Sequence, residues 1–188
     1  KETEGYSIDV SNLPMEKEIF EEIYAKGRTN NIFQFESDGM KSMLKRFKPE
    51  CFDDIILLNA AFRPGPIQYL DGIIEVKSTG HARESCLTQI PQLKEILAPT
   101  YMSIIYQEQV MQIFQKLAGY SLGGADMVRR YMSKKKTEKL EKERKAFIYG
   151  DKERGIRGCI ANGISGRLAD ELFDQMTEFA KYAFNKSH

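Results

Sequence analysis

Tryptophan is absent from this 188-residue chain, histidine occurs twice and cysteine three times. With only His81 and His188 available, no Ser-His-Asp or Cys-His arrangement can be proposed. Neither histidine sits at ligand spacing from a cysteine, so zinc is not expected. Cys51, Cys86 and Cys159 form no CxxC pair, and an odd number cannot all be bridged. A reduced, cytoplasmic protein is the simplest reading. Long apolar runs are missing too. The longest, Ile55 to Phe62, has eight residues and is interrupted by Asn59, far short of the ~20 that span a bilayer. No membrane partner is expected. No basic, apolar, small-residue sequence opens the chain, so no signal peptide is read. The first residue is Lys1 rather than Met, and the chain reads as a piece of something longer. There is no GxxxxGK[ST] loop, no GxGxxG and no DxD with apolar neighbours of the kind that holds two magnesium ions. Asp53 and Asp54 are adjacent and diverge on a helix, so they make no paired site.

What is present is ordinary in bulk. Hydrophobic residues make up 41% and charged residues 29%, which argues against disorder. A chain this long buries roughly 70% of its unfolded surface and needs no staples. The net charge of +1 conceals an asymmetry. Residues 1–38 carry four bases and nine acids, a net of −5, whereas residues 126–145 carry nine bases and four acids, a net of +5. One concentrated basic segment in a near-neutral chain points to a local anion such as phosphate or nucleic acid. A solvated, salt-bridged helix face is the alternative.

Apolar spacing predicts a mainly helical fold with little sheet. Helices are expected over Leu13 to Ala25 (capped by Asn12, ended by Gly27), after Ser37 until Pro49, and from Cys51 to Phe62. Ile32 to Phe35 alternates and is read as a short extended segment. Residues 71–99 are weakly patterned and read as loop with short helices. Tyr101 to Tyr106 is the best strand candidate. Further helices are expected over Gln107 to Leu117, Leu122 to Met132, Thr137 to Tyr149, and after Ser165. Residues 150–164 hold four glycines and read as a loop.

The sharpest constellation runs from Gly123-Gly124-Ala125-Asp126 through Arg129-Arg130 to Lys134-Lys135-Lys136. Small residues at a helix start allow a backbone or a phosphate to approach closely. Adjacent arginines point about 100° apart on a helix. They can flank an anion, or one can bind it while the other pairs with a carboxylate. Arginine suits phosphate because its planar fork binds bidentately. Phe184-Asn185-Lys186-Ser187-His188 ends the chain in polar groups, which by spacing alone read as solvent-exposed. Arg63-Pro64-Gly65-Pro66 reads as a rigid turn, with Arg63 a surface charge.

These motifs also resemble, in one order, a known family. Ile32-Phe33-Gln34-Phe35-Glu36-Ser37-Asp38-Gly39-Met40-Lys41, Phe62-Arg63-Pro64-Gly65-Pro66, Tyr106-Gln107-Glu108-Gln109-Val110-Met111, Ala118-Gly119-Tyr120-Ser121-Leu122-Gly123-Gly124-Ala125-Asp126 and Phe184 to His188 are similar to the fingers of bacterial replicative C-family polymerases, the DNA polymerase III alpha subunits. The resemblance covers the chain from about residue 8 to its end. It implies a parent enzyme that adds deoxynucleotides to a primer with two magnesium ions, on a fold of the polymerase-beta-like nucleotidyltransferase type. The whole of 1–188 would be a single fingers domain, with 1–30 the start of the connection from the palm. The metal-holding palm aspartates would lie before this segment, so no catalytic residue and no metal ligand is assigned here, and the fragment alone should be inactive. By the family pattern Arg129 and Arg130 face the incoming triphosphate. Asn185, Lys186, Ser187 and His188 lie near the nucleotide pocket, and Lys134, Lys135 and Lys136 near nucleic acid. Implied partners are primer-template DNA, deoxynucleoside triphosphates and other replisome subunits, the last through parts of the parent outside this chain. No role carries over to 71–99 or 150–164. A non-enzymatic helical module that binds nucleic acid or a partner is the alternative.

Overall fold

The computed structural model describes residues 9, 16–134 and 137–186. The chain is mainly helical, as its spacing predicts. Among the described residues the only β pairings are isolated bridges, Tyr106 with Phe184 (parallel) and Asp151 with Ile156 (antiparallel). Two compact units divide it, Lys1–Leu58 and Asn59–His188.

In the first unit, the expected leading helix is a π-helical segment, Ile19–Tyr24, in which the Ala25 N–H reaches back five residues to the Phe20 carbonyl at 2.8 Å. The Asn12 cap and residues 13–15 lie outside the described residues. Gly27 ends the segment at a φ of 63°. Helix α1 (Asp38–Phe47) starts where Ser37 Oγ accepts from the Met40 N–H at 3.2 Å, and buries Met40, Met43, Leu44 and Phe47. The extended segment expected over Ile32 to Phe35 is instead a turn. Asn31 and Gln34 adopt left-handed φ values of 63° and 67°, and the Phe35 N–H bonds the Ile32 carbonyl at 2.9 Å. Four alternating residues without a partner strand cannot hold an extended backbone. The buried Thr29 hydroxyl donates to the Phe35 carbonyl at 2.6 Å and fixes the turn. Helix α2 (Phe52–Ala61) follows, close to its expected span, and its last three residues belong to the second unit.

In the second unit, Pro66 opens a 3₁₀ turn (Pro66–Tyr69) that feeds α3 (Leu70–Thr79). Here the reading of 71–99 as loop with short helices falls short at α3 alone, which is a regular ten-residue helix. Its pattern is weak because Leu70 and Ile73 alone are fully buried. Gly80 closes it at a φ of 72°. Short α4 (Cys86–Gln89) and α5 (Leu93–Leu97) complete the stretch. The strand expected over Tyr101 to Tyr106 does not form. Tyr101 and Met102 sit at φ 50° and 61°, which no strand accommodates, and of the six residues only Tyr106 at the far end, which is extended, is bridged.

Helices α6 (Gln107–Ala118), α7 (Leu122–Ser133), α8 (Thr137–Tyr149) and α9 (Gly166–Phe179) form the main bundle. Phe114 of α6 is its centre, with ring centroids 5.1 Å from Tyr120, 4.8 Å from Phe147 and 6.0 Å from Phe173. Such edge-to-face contacts add about 0.5–1.5 kcal/mol each beyond burial. Polar ties clamp the rim. The Tyr120 hydroxyl donates to Glu143 Oε2 at 2.9 Å, and Arg154 donates to Glu143 Oε1 at 2.8 Å and Asp151 Oδ2 at 2.7 Å. Burial first, then the neighbouring Glu143 carboxylate, push the Tyr120 hydroxyl well above its ordinary pKa. The 150–164 loop is therefore tightly built. Its Gly158 N–H bonds the Ala118 carbonyl at 3.0 Å, and the Cys159 N–H bonds the Phe147 carbonyl at 2.8 Å.

Two glycines of this loop have nearly the same φ but different surroundings. Gly158 has φ 82°, and a Cβ there would lie 2.3 Å from the Gly150 nitrogen. Gly163 has φ 81°, with nothing within 4 Å of its Cβ position. Gly163→Ala should cost only the left-handed penalty, about 1–2 kcal/mol. Gly158→Ala should cost roughly 1–3 kcal/mol more, because backbone must move. Urea unfolding of the two variants checks this, and equal losses would contradict the packing described.

Candidate functional site

Three stretches of the second unit meet at one place: the start of α6, the polar face of α7 and residues 182–186. Helix α7 starts where Ser121 Oγ accepts from the Gly124 N–H at 3.1 Å. Ala125, Val128 and Met132 are buried at three- and four-residue spacing, which turns Asp126, Arg129 and Arg130 to the other side. Adjacent arginines diverge, yet both reach one carboxylate, because Asp126 lies one turn back at i−3 from one and i−4 from the other. Arg129 donates to Asp126 Oδ1 from Nε at 3.1 Å and from Nη2 at 2.7 Å. Arg130 Nη2 sits 2.8 Å from Asp126 Oδ2.

The two arginines differ in exposure. Arg129 is 17% exposed, and its Nη1 also donates to Gln107 Oε1 at 3.0 Å. Arg130 is 65% exposed, and Asp126 is its ion-pair partner among the described residues. A Cβ at Gly123, seven residues before Arg130 and so on the same face, would meet nothing within 4 Å. The Asp126 carboxyl is held below the ordinary aspartate value of 3.8, first by the hydrogen bonds from Arg129 and further by the charge of both guanidinium groups, while partial desolvation opposes this.

The chain end is pinned alongside. The Phe184 N–H donates to the Ile105 carbonyl at 3.0 Å, and the Gln107 N–H donates to the Phe184 carbonyl at 2.9 Å. Glu108 accepts from the Lys186 N–H at 3.1 and 3.2 Å, and the Lys186 ammonium lies 5.5 Å from the centre of the Tyr106 ring. Asn185 between them is exposed. The surface charge expected at Arg63 is instead a structural tie. Its guanidinium lies 4.9 Å over the Phe184 ring, with Nε donating to the Ala60 carbonyl and Nη2 to the Tyr182 carbonyl, both at 2.8 Å. Gly65 serves the same contact, because a Cβ there would fall 2.7 Å from the Tyr182 ring. Lys134 is exposed at the end of α7, whereas Lys135, Lys136, Ser187 and His188 lie outside the described residues. The arginine pair and the Phe184–Lys186 segment thus share one cluster, 55 residues apart in sequence from Arg129 to Phe184.

The bacterial DNA polymerase III alpha subunit finger domain, as a family profile, matches residues 1–155. This chain belongs to that family. The DNA polymerase III subunit alpha of Haemophilus influenzae is 47% identical to it over 188 aligned residues, covering 96% of this chain and 15% of that protein. That of Escherichia coli (strain K12) is 44% identical with the same 96% and 15% coverage. That of Vibrio cholerae is 50% identical over 168 residues, 86% of this chain and 14% of the relative. The chain therefore spans about 15% of the length of the curated relatives it matches. Among the described residues no group of three His, Cys, Asp or Glu side chains is placed to hold a metal ion, so these residues do not fit the magnesium ions the family resemblance implies. No helix among them is long and apolar enough to cross a membrane.

Because the folded state depresses the Asp126 pKa, the cluster's contribution to stability is complete above the ordinary value of 3.8 and is lost as pH falls through the lower, folded-state value. Asp126→Asn should lower the melting temperature near neutral pH, and that deficit should shrink as the buffer is taken well below pH 3.8. Thermal melts across this range check it. A deficit that does not change with pH would mean that the carboxylate charge is not what holds the arginines.

Proposed function

We propose that this chain is the fingers portion of a bacterial replicative DNA polymerase catalytic subunit, where it binds the incoming deoxynucleoside triphosphate and template during template-directed synthesis. The observation that supports it best is the exposed, pre-oriented Arg130. Its guanidinium is fixed at one edge by Asp126, so little side-chain freedom remains to be lost when a phosphate binds. Charge builds on the transferring phosphoryl and the leaving pyrophosphate during nucleotidyl transfer. A guanidinium held in advance stabilises that charge more than it stabilises the ground state. Arg129, nearly enclosed and with three donors engaged, acts here as the brace of Asp126. This divides between two residues a role that the family pattern gives to both.

By the family pattern the Lys134 to Lys136 run would track a phosphate backbone, and Asn185 to His188 would border the nucleotide. Magnesium would be held by carboxylates of the parent outside this chain. The parent would act in the cytoplasm, with its other replisome subunits on other domains. On this reading the isolated chain does not extend a primer.

In the full-length alpha subunit, Arg130→Ala should lower kcat/KM for the deoxynucleotide by ~10²-fold, about 2.7 kcal/mol of transition-state stabilisation. Arg130→Lys should recover only part of this, since a point charge cannot bind bidentately. Steady-state primer extension measures both. Normal kinetics in Arg130→Ala would remove Arg130 from the nucleotide site, and duplex DNA binding by the chain with no response to triphosphates would favour a non-enzymatic binding module instead.

A further inference from the structure

We propose that Gln107 is the positioning residue of this site, locking the arginine pair of α7 to the chain segment at 183–184. The inference rests on the nucleotide-binding reading of Arg130. Gln107 makes three tertiary bonds in different directions. Its Oε1 accepts from Arg129 Nη1 at 3.0 Å, its Nε2 donates to the Ala183 carbonyl at 3.2 Å, and its backbone N–H donates to the Phe184 carbonyl at 2.9 Å. The partners dictate which way the amide faces. Turned over, it would set an NH₂ against a guanidinium N–H and an oxygen against a carbonyl oxygen. The position therefore calls for one acceptor and one donor on a side chain of this length, which glutamine supplies. Aspartate and asparagine fall a methylene short, and glutamate offers two acceptors.

From Gln107 a continuous series of hydrogen bonds leads outward. Arg129 passes from Gln107 to Asp126 Oδ1, and Asp126 Oδ2 holds Arg130. Gln107 is the inner end of this series and Arg130 its exposed end. The adjacent Glu108 pins the Lys186 N–H, so two consecutive side chains of α6 secure the backbone on both sides of Asn185. Loosening Gln107 releases both the brace behind Arg130 and the segment that carries Asn185.

The test is steady-state primer extension by the full-length alpha subunit, with Gln107→Leu, Gln107→Glu, Arg130→Ala and the two double variants, each also melted thermally. Gln107→Leu removes both side-chain bonds. Gln107→Glu keeps the acceptor for Arg129 but sets an oxygen against the Ala183 carbonyl and competes with Asp126 for the guanidinium. Each should lower kcat/KM for the deoxynucleotide by about tenfold, as expected for misplacing a binding group. Added to Arg130→Ala, each should cause a smaller loss than it causes alone, because the share that acts through Arg130 is already gone and only the share through the Asn185 segment remains. If the leucine variant does not fold, the glutamate variant carries the same comparison. Equal fold-losses with and without Arg130 would overturn the assignment, since a merely structural residue gives that result. Silent Gln107 variants beside a damaging Arg130→Ala would also overturn it, leaving the nucleotide reading intact. A silent Arg130→Ala would instead remove the nucleotide reading, and this inference with it.

Discussion

A single parallel bridge, Tyr106 with Phe184, is the constraint on which the candidate site depends. It joins residues 78 positions apart, and among the described residues no sheet surrounds it. Two backbone bonds of 2.9 and 3.0 Å would be marginal alone, since a hydrogen bond contributes only about 1 kcal/mol net. Support comes from both sides. The buried Gln109 amide accepts from the Ile105 and Tyr106 N–H groups at 2.9 Å each, and donates to the Ile96 carbonyl at 3.2 Å and to Thr100 Oγ1 at 2.7 Å. On the other side Arg63 covers the Phe184 ring and holds the Tyr182 carbonyl. The motifs around residues 63–66, 106–111 and 184–186 are thus parts of one assembly rather than separate sites.

The same economy governs the charges. A +5 segment invites self-repulsion, yet its two adjacent arginines are made compatible by a single aspartate one turn back. The pairing leaves the guanidinium groups unequal. One is largely enclosed, with a donor engaged on each of its three nitrogens, and the other is open to solvent and fixed at one edge. That inequality turns a charged helix face into a directed one. The enclosed member of the pair is the one that communicates with α6, through Gln107.

Local signals carried much of this fold. Ser37 and Ser165 each cap a helix at the expected place, because a cap is written within four residues. The arginine pair and its neighbouring carboxylate were visible for the same reason, both lying within one turn. Partners set by tertiary packing were not. Gln107 meets Arg129 across 22 residues and Ala183 across 76, and nothing in the local pattern of α6 separates it from a solvent-exposed glutamine. Glu143 belongs to the charged 126–145 segment, for which a solvated helix face stood as the alternative reading. It is buried because Tyr120 and Arg154, from distant segments, complete its hydrogen bonds. The strand reading of Tyr101 to Tyr106 failed on backbone rather than on hydropathy. Left-handed Tyr101 and Met102 turn the chain, and only the last residue of the six finds a bridge partner.

Amide hydrogen exchange at Phe184 and Gln107, in the wild-type chain and in Gln109→Ala, tests the bridge directly. If the bridge organises the site, both amides are protected in the wild type. In the variant both lose protection together, by at least about tenfold, or ~1.4 kcal/mol of opening free energy. Exchange of Phe184 at the unprotected rate in the wild type, or loss at one amide without the other, would show that α6 and the chain end are held independently, and the site described would not be a single unit.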